Sequence, residues 1–284
     1  MIYMSNNSKK SSPILYYHVG MGKIASTYLR EVFFPNLHGA YYIPRRRKFD
    51  AVEIMKEGNY SKYILCRALD TNMEDGIQDI GKAYPNTHPI ILFREPGSWI
   101  SSQYRRWVKN GFPGTLQDFM DVKNNQGFWP REELLFMRKI QLLEKYFKPK
   151  PLVLFYQDLK EDPKAFFDKI ANYTGCTYDF NTISLQPVHK GHAHKGLVFR
   201  RHIKRWFSNQ MTSYTKIPIL HWWHRRLGMV WAYLLIALGN RLPESWLPKE
   251  PFIDPDYLKD IQAYTKEDWN TLKAYASNVE DEIS

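Results

Sequence analysis

The sequence predicts an α/β protein whose mainly parallel central sheet is flanked by helices, with a helical, basic C-terminal appendage. Short, almost purely apolar runs alternate with longer segments typical of helices, which is the pattern of parallel strands joined by helical crossovers. One run, 89–93 (PIILF), is nearly all aliphatic, as expected for a strand that is covered on both faces. After about residue 180 the strand pattern ends, and the remaining sequence is basic and aromatic.

The predicted strands and helices follow one another in a regular order along the chain. Apolar or aromatic runs predict strands at 14–19, 40–43, 62–66, 89–93 and 152–156. Helices are predicted at 25–34, 98–109, 131–147 and 163–173. We interpret residues 1–13 as a disordered N-terminus and residues 14–284 as one domain, with the α/β core at 14–180 and the appendage at 181–284.

Composition and charge limit the class of protein. The chain has 284 residues, 44% of them hydrophobic, which is enough for one large core. A formal net charge of +11 favours anionic partners such as nucleotides, anionic glycans or an acidic membrane surface. The two cysteines, Cys66 and Cys176, show no disulfide or metal-binding pattern, which indicates a reducing compartment. Because no run resembles a signal peptide or reaches the ~18 apolar residues of a spanning helix, we expect a cytoplasmic protein, soluble or bound to a membrane surface.

A glycine-rich turn joins the first predicted strand to the first helix. Gly20 and Gly22 let the backbone approach an anion, Lys23 adds a positive charge, and Ser26 and Thr27 add hydroxyl donors. Such strand–helix junctions bind phosphates in open α/β sheets. The spacing differs from a Walker A loop, in which Ser or Thr follows the Gly-Lys pair at once. An ordinary glycine turn with a capping serine is the alternative.

A second strand–helix junction carries an arginine and several serines. Arg94 directly follows the strand 89–93, and Ser102 comes eight residues later. If the helix begins near Pro96, Ser98 and Ser102 lie on one helical face, four residues apart. A guanidinium fork with a hydroxyl suits a terminal phosphate. A structural ion pair of Arg94 is the alternative.

Both junctions resemble the nucleotide-binding motifs of sulfotransferases. Residues 18–27 (HVGMGKIAST) look like the 5'-phosphosulfate loop of bacterial carbohydrate sulfotransferases, except at Gly22 and Ile24, where that family usually has Pro and Thr or Ser. Residues 94–104 (REPGSWISSQY) resemble the 3'-phosphate motif of the family, and residues 152–163 (LVLFYQDLKEDP) resemble a third, supporting motif. The resemblance covers roughly residues 14–180.

The resemblance implies a sulfotransferase domain with a P-loop NTPase-like fold. Such an enzyme transfers the sulfuryl group of 3'-phosphoadenosine 5'-phosphosulfate (PAPS) to a hydroxyl or amine, leaves 3'-phosphoadenosine 5'-phosphate (PAP), and requires no metal. A glycan or glycolipid is the expected acceptor. Lys23 would stabilise the charge that grows on the leaving oxygen. Lys190 or Lys195, each followed by glycine, would reach the 3'-phosphate.

The acceptor must lose a proton during the transfer, which requires a base such as a carboxylate. We rank Glu53 and Glu31 above His38 and Asp50 as candidates for this base, although a plain surface role suits each of them. The run 45–48 (RRRK) suits either a solvated turn or a site for an anionic acceptor.

Two other functions fit parts of the sequence. A nucleotide-dependent kinase with an atypical P-loop would use the glycine-rich turn, but Arg94 stands where a kinase would place an acidic magnesium ligand. A nucleic-acid or membrane-surface protein would use the basic, aromatic region 217–238, which leaves the two phosphate motifs unexplained. We therefore expect no nucleic-acid partner, and we retain a peripheral membrane contact as an additional expectation.

Overall fold

One parallel sheet organises the protein. The computed structural model describes residues 12–186, 194–207, 218–247 and 250–283. Within them, five strands form a sheet in the order β2-β3-β1-β4-β5, and each pair of neighbouring strands is parallel. The strands are β1 Ile14–Gly20, β2 Tyr41–Tyr42, β3 Lys62–Ala68, β4 His88–Phe93 and β5 Leu152–Phe155. The predicted parallel sheet flanked by helices is confirmed.

Helices connect these strands and form the C-terminal part of the described chain. They are α1 Ser26–Tyr28, α2 Ala51–Glu57, α3 Met73–Ala83, α4 Pro96–Lys109, α5 Leu116–Phe119, α6 Met137–Tyr146, α7 Tyr156–Glu161, α8 Pro163–Thr174, α9 His194–Phe207, α10 Pro218–Arg241 and α11 Pro255–Ile283. Short 3-10 turns occur at Phe34–Asn36, Arg45–Arg47, Asp70–Asn72, Arg131–Leu134, Phe180–Thr182 and Glu244–Trp246. The helical character predicted for the C-terminal region is confirmed in α9, α10 and α11.

Strand β1 lies at the centre of the sheet and positions the first candidate site. Its Val19 pairs with Arg67 of β3 on one side and with Ile91 of β4 on the other. Val19 and Ile91 are fully buried, as befits a sheet covered on both faces. Because the strands are parallel, β1 and β3 end at the same edge, where Gly20 pairs with Ala68. The segments that follow these two strands therefore begin side by side.

The chain divides into two compact units. The first, which we call the sheet unit, contains residues 12–93, 137–186 and 273–283 among those described. The second, the helical unit, contains residues 94–136 and the described residues between 194 and 272. Its core is rich in aromatic side chains that are fully buried, namely Trp99, Tyr104, Phe119, Phe136 and Phe252. The single domain with a boundary near residue 180 stays a prediction.

The predicted helix 131–147 is wrong in its middle. A 3-10 turn at Arg131–Leu134 and helix α6 are separated at Leu135 and Phe136. The amide of Phe136 donates to Oδ2 of Asp268 at 2.6 Å instead of continuing a helical ladder. The Phe136 ring is buried edge-on against Trp99. A side-chain acceptor and an aromatic contact distant in sequence thus override the local helical pattern.

The helix predicted at 25–34 lies where it was expected, but its geometry is unusual. It begins as α1, widens into a π-helical turn at Leu29–Phe33, and tightens into the 3-10 turn Phe34–Asn36, which contains Pro35. Single π-helical turns are rare and occur frequently at functional sites.

Candidate functional site

The loop 20–27 connects β1 to α1 at the carboxyl edge of the sheet. Lys23 and Ala25 adopt left-handed φ angles of 69° and 68°, whereas Gly22 and Ile24 have negative φ. This alternation is the backbone pattern in which successive amide groups converge on an anion. A left-handed conformation is uncommon for residues other than glycine and costs on the order of 1–3 kcal/mol. Strain retained in two residues of a strand–helix loop points to a functional role.

Gly20 ends β1 at a point where packing leaves no room for a side chain. A Cβ atom there would lie 2.4 Å from Oγ of Ser26. Ser26 is buried, and its hydroxyl donates to the carbonyl of Met21 at 3.2 Å, which closes the loop from inside. Thr27 is half-buried and accepts a hydrogen bond of 3.3 Å from Arg30. Both predicted hydroxyl ligands thus lie at the loop, and that of Ser26 is bonded to the loop itself.

Lys23 and the residue that follows it have opposite environments. Lys23 is exposed, whereas Ile24 is 0% exposed and belongs to the hydrophobic core. In a Walker A loop the residue after the lysine supplies the hydroxyl that binds magnesium. Here that position is a buried aliphatic side chain, so the loop lacks the magnesium ligand that a P-loop kinase needs.

Asp70 is a carboxylate at this loop that the sequence motifs did not identify. It lies two positions beyond β3, and its Oδ1 accepts a hydrogen bond of 2.5 Å from the amide of Gly22. Its φ of 39° is also positive. The signal that could have found it is topological: β1 and β3 are adjacent parallel strands, so residues that follow β3 meet the loop that follows β1.

His18, which lies on β1 two residues before the loop, has a neutral, buried side chain. Its Nδ1 lies 3.1 Å from Sγ of Cys66 on β3. Burial, and then the positive charge of Arg30, lowers the pKa of His18 to about 3. Burial raises the pKa of the Cys66 thiol to about 12. Both groups are uncharged near neutral pH, so His18 serves packing and does not act as a cationic ligand.

Four cations lie close together beside the same edge of the sheet, and two of them contact an exposed aromatic ring. The pKa of Lys48 is lowered by burial and then by the positive charges of the other three cations, which are Arg67, Arg45 and Arg30. The ammonium of Lys48 lies 4.7 Å, and the guanidinium of Arg67 5.2 Å, from the centre of the Phe49 ring, which is 73% exposed. Such a concentration of positive charge attracts anions. We call this set the cationic cluster, and its members are Arg30, Arg45, Lys48, Phe49 and Arg67.

The two glutamates proposed as the base lie in different places. Glu31 is exposed, and its Oε1 lies 3.3 Å from Arg30 of the cationic cluster. Glu53 is exposed on α2. The pKa of Tyr84 is raised by the burial of its side chain, then by Tyr63, and then by the negative charge of Glu53. Tyr84 lies between α3 and β4, at the amino edge of the sheet. The structure therefore brings Glu31 to the cationic cluster and places Glu53 toward the opposite edge.

In the helical unit, Arg94 and Ser102 line one pocket with a volume of about 400 Å³. The Nε of Arg94 donates to the hydroxyl of Ser98 at 2.8 Å. The carboxylate of Glu95 caps the first turn of α4 by accepting from the amide of Ser98 at 2.6 Å. Helix α4 begins at Pro96, which confirms the predicted start and the shared face of the serines.

Arg105 adds a second guanidinium to this pocket and was not identified from the sequence motifs. Burial lowers its pKa, and an arginine remains charged in proteins even so. Ser98, Ser101, Ser102 and Arg105 all line the pocket, and their spacing puts them along one face of α4. Arg105 follows Ser102 by three residues and therefore lies on the same helical face, so the sequence pattern could have identified it. Two guanidinium groups with three hydroxyls suit a phosphate monoester.

Of the two lysines expected to reach the 3'-phosphate, the structure describes one. Lys195 lies in the first turn of α9. Gly196 is a helix position whose amide donates to Oδ1 of Asn240 at 2.8 Å. A role for Lys195 at the 3'-phosphate stays a prediction, and Lys190 lies outside the described residues.

Neither a metal centre nor a membrane span occurs in the part of the chain that the structure describes. Among the described residues, no group of three or more His, Cys, Asp or Glu side chains could hold a metal ion. No described helix combines the length and the apolar character needed to cross a bilayer.

Comparison with known proteins finds sulfotransferases. No protein-family model matches the chain. Over 144 residues it is 27% identical to Sulfotransferase 1A1 of Mus musculus, and over 142 residues it is 26% identical to Sulfotransferase 1A1 of Rattus norvegicus. Each alignment covers 50% of this chain and 38% of the relative, so the chain matches well under half of the relatives' length. A crystal structure of a sulfotransferase from Alicyclobacillus acidocaldarius is similar with a TM-score of 0.46 and 14% identity, covering 81% of this chain and 97% of that one.

Proposed function

We propose that this chain is a sulfotransferase that uses PAPS to sulfate a hydroxyl or amine of an acceptor. The observation that carries the proposal is the loop 20–27, whose alternating φ angles and exposed Lys23 suit an anion and which lacks the Walker A hydroxyl. Similarity to curated sulfotransferases over half of the chain supports the same function.

The loop 20–27 would bind the 5'-phosphosulfate end of the donor. The acceptor oxygen attacks the sulfur in line with the bond from sulfur to the bridging oxygen. As that bond breaks, its electron pair stays on the bridging oxygen, which leaves as part of the nucleotide phosphate. The ammonium of Lys23 would stabilise this growing negative charge, and the converging backbone amides would hold the phosphate.

The pocket on α4 would bind the 3'-phosphate of the donor. Arg94 and Arg105 would neutralise its charge, and Ser102 would donate a hydroxyl hydrogen bond. A nucleotide without a 3'-phosphate would leave both guanidinium groups unmatched. This pocket would therefore distinguish PAPS from ATP, ADP and other nucleotides that end in a 3'-hydroxyl.

An anionic glycan or glycolipid fits the acceptor side best. The cationic cluster lies beside the carboxyl edge of the sheet, where β3 ends next to the loop. Its charges would attract a carboxylate or sulfate group that the acceptor already carries. The exposed Phe49 ring would offer an apolar surface to the face of a sugar ring.

Asp70 is the carboxylate that we propose as the base, ahead of Glu31 and Glu53. It is fixed at the loop by its hydrogen bond from Gly22, whereas Glu53 lies toward the opposite edge of the sheet. Replacing a general base typically lowers the rate by about 10²–10⁴-fold. We expect Asp70→Asn to show this loss. Equal activity of Asp70→Asn and wild type, with the loss in Glu31→Gln or Glu53→Gln, would assign the base elsewhere.

A transfer assay with ³⁵S-labelled PAPS tests the proposed function. The chain is incubated with neutral and anionic oligosaccharides in the presence of EDTA, and labelled products are separated by chromatography. We expect label on the oligosaccharide, with the anionic acceptors favoured, and transfer by Lys23→Ala that is slower by roughly a hundredfold or more. Transfer of the γ-phosphate from magnesium–ATP, without any sulfate transfer, would show that the chain is a kinase.

A further inference from the structure

Helix α10 exposes a continuous apolar face. Five large side chains follow one another at helical spacing, each about half exposed or more, and Trp231 is 64% exposed. This spacing puts them on one side of the helix. Contiguous exposed apolar surface marks a site of interaction with a protein or a membrane. We call this set the apolar face, and its members are Leu227, Val230, Trp231, Leu234 and Leu238.

The opposite side of α10 is already used by packing on α9. Ala232 and Ile236 are buried there. The two helices approach closely at a pair of glycines: a Cβ on Gly196 would lie 2.4 Å from the carbonyl oxygen of Ile236, and a Cβ on Gly239 would lie 2.6 Å from Cβ of Phe199. This contact fixes the rotation of α10, so the apolar face is held outward. The helix presents one apolar side and is therefore suited to lie on a surface.

The sequence around the apolar face is strongly basic. Residues 181–243 contain no Asp or Glu. They contain ten basic residues, which are Lys190, Lys195, Arg200, Arg201, Lys204, Arg205, Lys216, Arg225, Arg226 and Arg241. Of these, Arg205, Arg226 and Arg241 are exposed, and Trp206 beside Arg205 is 77% exposed. Exposed tryptophan, an apolar helix face and an excess of positive charge are the features of helices that lie in the interface of anionic membranes.

We propose that the α9–α10 pair docks on the surface of an anionic lipid bilayer. In this arrangement α10 lies parallel to the membrane plane, its apolar face enters the boundary between headgroups and acyl chains, and the exposed arginines contact the lipid phosphates. A nucleic acid would match the charge but not the apolar face. A second copy of this chain would match the apolar face but would bring together two surfaces of the same positive charge.

Co-sedimentation of the full chain with lipid vesicles tests the proposal. We expect pelleting with vesicles of phosphatidylcholine mixed with phosphatidylglycerol, much weaker pelleting with phosphatidylcholine alone, and release by high salt. Leu234→Glu should reduce binding by at least roughly tenfold, because it removes one buried leucine from the membrane. Leu185→Glu is the matched control, since Leu185 and Leu234 are 53% and 54% exposed. Circular dichroism confirms that both variants are folded.

Three outcomes would overturn the proposal: the chain stays in the supernatant with both kinds of vesicle, Leu234→Glu pellets as wild type does, or Leu185→Glu loses as much binding as Leu234→Glu. Sedimentation velocity distinguishes a second copy of the chain from a membrane as the partner of the apolar face. If the wild-type chain is a dimer, Leu234→Glu is a monomer, and the wild-type chain does not bind vesicles, the apolar face binds a second copy of this chain. None of these readouts depends on nucleotide binding, so the membrane proposal and the proposed function fail separately.

Discussion

The loop 20–27 and the pocket on α4 are two candidate phosphate sites built on different principles. The loop depends on backbone conformation, since two of its residues hold left-handed φ angles and Gly20 has no room for a side chain. The pocket depends on side chains, which project from one face of α4 and, for Arg94, from the residue two positions before the helix. A backbone site acts as a unit, whereas a side-chain site can lose its ligands one at a time. Substitutions should therefore act more severely in the loop than in the pocket.

The largest effect is expected for the charge at the tip of the loop. Lys23→Ala should lower the single-turnover rate of sulfuryl transfer by roughly a hundredfold or more, with a smaller loss of donor affinity. Lys23→Gly removes the same charge but relieves the left-handed strain at this residue. Equal losses in both variants would assign the effect to charge. A variant that transfers at the normal rate when saturated would show that Lys23 only holds the donor.

In the pocket, Arg94→Ala should weaken the binding of PAP by about 1.5–3 kcal/mol, because a charged hydrogen-bonding partner is lost. The affinity for adenosine 5'-phosphate should hardly change. Arg106→Ala, which removes an arginine of α4 that does not line the pocket, is the control. Calorimetric titration with both nucleotides gives the comparison, and an equal loss for the two would make Arg94 a structural residue.

Gly20→Ala tests whether the loop acts as a unit. The added Cβ would lie 2.4 Å from Ser26 Oγ, so we expect a loss of about 1–3 kcal/mol in the free energy of unfolding, together with weaker donor binding. Gly228→Ala makes the same chemical change where nothing lies within 4 Å, and in a helix it should stabilise by roughly 0.5–1 kcal/mol. Unchanged stability of Gly20→Ala in chemical denaturation would contradict the close packing.

The smallest effect is expected for a single hydroxyl of the pocket. Ser102→Ala should weaken PAP binding by about 0.5–1.5 kcal/mol, which is the usual contribution of one hydrogen bond. Ser277→Ala, an exposed serine on α11, should leave binding unchanged. A loss as large as that of Arg94→Ala would show that the pocket also behaves as a unit, which would remove the distinction between the two sites.

The sequence predicted what depends on local pattern and missed what depends on pairing across the fold. Strands β1 and β4 and the start of α4 follow from apolar runs and Pro96, so Lys23 and Arg94 could be placed at strand ends. Asp70 could not, because its approach to the loop requires the order and register of β1 and β3.

The interruption of the predicted helix at Phe136 also depends on a contact between distant parts of the chain. Its cause is Asp268, a residue 132 positions away in the chain. Neither contact leaves a trace in the local periodicity, whereas Arg105 does and could have been found by following the helical face of α4.

Calorimetric titration of the full chain with PAP, ADP and magnesium–ATP tests the central claim most directly. The loop predicts binding of the 5'-phosphate without metal, and the pocket predicts a preference for a nucleotide that also carries a 3'-phosphate. We therefore expect PAP to bind in EDTA at least roughly tenfold more tightly than ADP, which is the least that one lost charged hydrogen bond should cost. Binding of ATP that requires magnesium, with no preference for the 3'-phosphate, would contradict the account.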